Sequence, residues 1–102
     1  MVSETMERAV LMSMTVWKTA LKPMNVQRVA IPRGAQILSA HMQDNMPTIW
    51  YLCDTDAPFE DREIAIVATG SAAPYPADAH FIGTVLINGG SIVAHIFERN
   101  PE

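Results

Sequence analysis

The chain has 102 residues, 49% apolar and 18% charged, with a formal net charge of −4. That length makes one domain, able to bury roughly 60–70% of the surface of its unfolded chain without staples, and the composition excludes a disordered chain. Seven basic residues are scattered among eleven acidic ones, so the basic stripe used to bind DNA or RNA is not there.

The lone cysteine, Cys53, excludes an internal disulfide. It falls in a strand-like run and reads as a small buried apolar residue. No stretch reaches the ~18 apolar residues of a membrane helix. Glu4 and Glu7 precede a short apolar run, which is not the pattern of a secretory signal. These features predict a cytoplasmic location.

Residues 1–13 differ from the rest. Ser3 followed by Glu4 and Glu7 suits a short capped helix, with Met6, Val10 and Met14 as one stripe. Alternatively, the segment is an optional extension ahead of a start at Met14. The expected division is therefore 1–13 as an extension and 14–102 as one all-β domain.

From residue 15 the signals are those of strands. Residues 15–21 alternate weakly, and Lys22-Pro23 interrupts them. Residues 26–31 form a second run. Pro32-Arg33-Gly34 is a tight turn, with proline setting the first corner and glycine free to take positive φ. Residues 35–42 return antiparallel, and QDNMP turns the chain again. Residues 48–53, TIWYLC, are rich in aromatic and β-branched side chains.

Residues 54–61 read as an acidic loop. Residues 62–69 are apolar on both faces, as a central strand with both faces covered would be. Residues 70–79 hold two prolines and read as a longer loop. Residues 80–87 and 91–99 flank Asn88-Gly89-Gly90, which signals a type I′ hairpin needing positive φ at both corners. Six or seven short strands with regular turns predict an antiparallel β sandwich or small barrel.

Several stretches carry a resemblance: IPRGAQILSA, TIWYL, the ATG of residues 68–70, and FIGTVLINGGSIVAHIFE. In this order and spacing, from about Val16 to Arg99, the chain resembles a small domain family of unknown function found in bacteriophage and prophage genomes. The resemblance implies a compact all-β fold and a phage origin, which would make the expected cytoplasm that of the host. It implies no activity. That family often continues Thr-Gly into His-Pro, where this chain has Ser71 and Ala72.

The chemistry-bearing residues are sparse. His41, His80 and His95 have no metal-ligand spacing, and Asp54, Asp56, Glu60 and Asp61 lack the glycine and third ligand of a cation loop. No metal or cofactor is expected. No nucleophile elbow or P-loop occurs, so an enzyme is the weaker expectation. Alternation puts His95 with Val93 and Phe97, on an expected buried face. There it would be a core histidine with one hydrogen bond, or a contact in a pocket or interface. Arg33 at a turn tip is free to reach an anion, and Trp50 to stack on a partner.

Arg33, Trp50 and His95 are thus the expected ligand- or partner-binding residues. The expected function is a non-enzymatic, self-associating phage accessory protein. It would act in counter-defence, sequestering a nucleotide-type signal or docking on a host protein. A virion decoration protein is the alternative, and a small histidine hydrolase the weaker one.

Overall fold

The computed structural model describes residues 13–101 apart from Met24. The helix or extension expected over residues 1–13 lies outside the described residues, save for Ser13. Seven strands follow: β1 (Met14–Ala20), β2 (Val26–Pro32), β3 (Gln36–Gln43), β4 (Met46–Asp54), β5 (Phe59–Ala68), β6 (Ala79–Ile87) and β7 (Ile92–Arg99). They form two antiparallel sheets, a three-stranded one ordered β1-β4-β3 and a four-stranded one ordered β2-β5-β7-β6. The fold is a small β sandwich, not a closed barrel.

Period-two alternation decides which side chains enter the core. Ile49, Tyr51 and Cys53 point inward from β4, and Ile64, Ile66, Ala94 and Ile96 do so from β5 and β7. Val29 and Ile31 from β2 and Leu21 after β1 complete that core. Each fully buried Leu or Ile contributes about 1.5–3 kcal/mol relative to exposure. The Tyr51 hydroxyl is satisfied by Thr19 Oγ1 at 2.8 Å.

At one side the sheets almost meet, with β3 facing β6. Both strands carry a bulge, at Leu38 and at Ile82, where their registers slip. Bulges bend and twist a strand, which lets these two edges shield one another. Gly83 makes the approach close: a Cβ there would stand 3.1 Å from the Ala40 carbonyl oxygen.

Three local expectations change. Pro32 precedes the corner instead of occupying it. Arg33 takes the first corner and Gly34 the second, at φ 79°, and Ala35 N–H donates to Pro32 O at 3.1 Å. The acidic loop is shorter than expected, because β5 begins at Phe59 and pairs residues 59–61 with Ala30–Pro32 of β2. Glu60 helps hold that start by accepting the Gly34 N–H at 3.1 Å.

The Asn88-Gly89 corners do take positive φ. However, Gly90 follows suit, and Ile87 pairs with Ile92, so the loop is longer than two residues. The two-residue hairpin lies at Asp44-Asn45, both left-handed, between the paired Gln43 and Met46. Asp and Asn are the non-glycine residues that tolerate this conformation best.

Candidate functional site: a strapped groove on the four-stranded sheet

β5 and β6 both pair antiparallel with β7, so they run parallel to one another on either side of it. Parallel strands cannot be joined by a hairpin, and the connection must cross the sheet. Residues 69–78 make that crossing as a strap. Its first residue is held by Thr69 N–H donating to Val93 O at 2.9 Å, and Gly70 turns the chain at φ 90°. Its far end is held by Asn100, whose backbone N–H donates to Asp78 O at 2.8 Å and whose Nδ2 donates to Ala77 O at 3.0 Å.

Ala65 records the consequence. Its neighbours Ile64 and Ile66 face the core, so its own side chain faces outward, yet it is only 3% exposed. Strap residues line the groove above it. The double-sided burial expected for this strand therefore comes from the core on one face and the strap on the other.

Between strap and sheet runs a half-open groove of about 490 Å³. Val26, Ala65 and Val67 give it an apolar floor, and Tyr75 and Ala72 line it from the strap. Asp78 and Arg99 line it too, and Arg99 Nη1 lies 3.5 Å from Glu63 Oε1. A groove of this size fits a small molecule or a few residues of a peptide.

His95 sits beside this groove and not in the core. Ala94 and Ile96 take the inward positions, so the expected buried face of Val93, His95 and Phe97 is the outer face, and His95 is half-buried. Both its ring nitrogens are bonded: Nε2 to Thr69 Oγ1 at 2.8 Å and Nδ1 to Thr84 Oγ1 at 3.0 Å. Thr69 Oγ1 also donates to Val93 O at 3.3 Å. Each threonine hydroxyl can donate or accept, so both ring nitrogens are engaged whichever one carries the proton. The imidazole is a clasp joining the first residue of the strap to β6, with no lone pair or proton left for a substrate.

The other two expected contacts lie elsewhere. Trp50 is on the outer face of the three-stranded sheet, half-buried beside His41 at a ring separation of 5.9 Å. His95 and Trp50 therefore point away from the sandwich in opposite directions. Arg33 is exposed at the β2–β3 turn, its N–H bonded to Pro58 O at 2.8 Å. The structure does not gather Arg33, Trp50 and His95 into one site.

The three histidines also lie apart: His41 on the outer face of the three-stranded sheet, His95 on that of the four-stranded one, and His80 exposed and opposite Glu98. Among the described residues, no group of three or more His, Cys, Asp or Glu side chains is placed to hold a metal ion. Likewise, no described helix is long and apolar enough to cross a membrane.

The sequence reading passed over a charged cluster at the other end of the four-stranded sheet. Arg62 grips Glu98 through both Nε and Nη2 and reaches Glu60 Oε2 at 3.3 Å. The Arg62 and Glu98 side chains are 19% and 17% exposed. Glu98 holds the Arg62 guanidinium above its ordinary pKa, so the guanidinium stays charged. Burial raises the Cys53 thiol, which disfavours a reactive thiolate.

Comparison with curated proteins and with solved structures returns no match. A family model described as a domain of unknown function (DUF7352) matches residues 12–102, which takes in all seven strands, the strap and the His95 clasp. The chain belongs to that family.

Proposed function

We propose that this is a non-enzymatic binding protein that holds a segment of a partner protein in the groove between the strap and the four-stranded sheet. The observation that carries the reading is the groove itself. It has an apolar floor, and its strap is pinned at both ends by backbone hydrogen bonds. A preformed groove of this kind lowers the ordering cost of binding.

The charges favour a protein over a nucleotide-type signal. Arg99, the cation on the groove wall, is already drawn to Glu63 and shares the groove with Asp78. A phosphate-rich ligand would find Arg99 already paired with Glu63. An apolar side chain flanked by a neutral or basic residue meets a complementary surface. With the resemblance to phage-borne domains, this supports a phage accessory role in which the partner is a host protein met in the host cytoplasm. Counter-defence is the form that role takes here.

The test is a groove-filling variant. Ala72 and Ala77 are both exposed strap residues, but Ala72 lines the groove and Ala77 does not. Ala72→Trp should abolish partner binding while Ala77→Trp preserves it. Equal binding by both variants would place the partner elsewhere.

A second reading is virion decoration, favoured by the outer face of the three-stranded sheet. Met14, Val16 and Leu38 are exposed there. Exposed apolar side chains of this kind are what a lattice neighbour covers. That reading expects the protein to co-purify with particles and to be lost on Leu38→Lys.

A further inference from the structure

Among the described residues, β1 is an edge strand with one side of its backbone unpaired. Leu21 N–H donates to Pro47 O, and Thr55 N–H donates to Ser13 O, so these two odd-numbered residues bond toward β4. Between them the antiparallel register is unbroken. Backbone direction alternates along such a pair, so Met14, Val16, Lys18 and Ala20 aim N–H and C=O away from β4. The other edges are protected: β3 and β6 face one another with bulges, and β2 ends in Pro32. β1 has neither bulge nor proline. Its exposed side chains include Met14 at 46%, Val16 at 49% and Trp17 at 38%.

We propose that a second copy of this chain pairs with β1, antiparallel and centred on Trp17, fusing the two three-stranded sheets into one. The register follows from the backbone. Centring on Trp17 sets Val16 against Lys18 and Met14 against Ala20, and these are the residues whose backbone groups aim away from β4. Trp17 meets its own copy at a non-hydrogen-bonded position, where side chains come closest. Thr15 then lies opposite Thr19. Centring on Lys18 would oppose two like charges.

Charge favours a second copy over other occupants. Asp54 is paired with Met14 at one end of β1, with Asp56 just beyond it. Lys22 follows the other end, and Lys18 lies between. Antiparallel self-pairing brings the acidic end of each copy to the basic end of the other, twice by symmetry. A parallel approach would join like ends. The pairing is independent of what the strapped groove holds.

The experiment is amide hydrogen exchange by NMR on the full chain over a concentration series, with the mass in solution measured on the same samples. The amides of Thr15, Trp17 and Thr19 should be protected at every concentration. Those of Val16, Lys18 and Ala20 should gain roughly tenfold or more protection as the dimer forms. Val16→Pro removes an outward N–H that β4 does not use, and should weaken the dimer by roughly tenfold or more with its melting curve retained in dilute solution. Added salt should weaken the wild-type dimer. A monomer at all concentrations would overturn the proposal. So would protection of the even-numbered amides in the monomer, which would mean the chain's own first twelve residues cover the edge. A dimer with those amides still exchanging freely would also overturn it.

Discussion

A histidine among apolar neighbours in a terminal strand reads as a core or site residue, and His95 turns out to be a clasp. Its two hydrogen bonds explain why Thr69 opens the strap: a hydroxyl can donate to the Val93 carbonyl while accepting from the imidazole. Thr84→Val should destabilise the fold by about 0.5–1.5 kcal/mol, the net worth of one hydrogen bond, in urea unfolding. The Arg62–Glu98 pair is more deeply placed. Glu98→Gln keeps the shape but leaves the guanidinium short of a counter-charge, which should cost about 1–2 kcal/mol given its partial exposure. Cys53, 1% exposed with a raised thiol, should resist alkylation in the native state and react once the sheet opens. These partnerships were hidden in the sequence because each joins residues far apart along the chain. Thr69 meets His95, and Arg62 meets Glu98, only once β5 and β7 are in register. The residue types were visible; the register that pairs them was not.

Among the elements, the strands were legible because their chemistry is local. TIWYLC and REIAIVAT are dense in β-branched and aromatic side chains, and they became β4 and the body of β5. The start of β5 was missed because Glu60 and Asp61 carry no strand signal of their own. They are held by pairing to β2 and by Glu60 accepting the Gly34 N–H, both tertiary effects. The strap read as a loop for the right reason, its two prolines. Its path over the sheet follows from β5 and β6 flanking β7, an order that alternation does not encode. The seam between β3 and β6 depends on Gly83. Gly83→Ala would drive a methyl against the Ala40 carbonyl oxygen, and should cost about 1–3 kcal/mol of stability in denaturant unfolding. Alanine at Gly34 meets no neighbouring atom, so any cost there comes from its positive φ alone.

At the scale of the whole molecule, the two outer faces differ. One is crossed by a strap that is bonded down at both ends and leaves a groove beside it. Among the described residues no segment crosses the other, which continues into the edge strand β1. A sandwich of this kind can use the first face for a partner and the edge for its own copy without competition, because the two lie on different sheets. The central claim concerns the groove. Its most direct test is native mass spectrometry of the wild-type chain, Ala72→Trp and Ala77→Trp after passage through the same bacterial lysate. The account predicts one stoichiometric partner mass on the wild type and on Ala77→Trp, and none on Ala72→Trp. The same mass on all three chains, or on none, would contradict it.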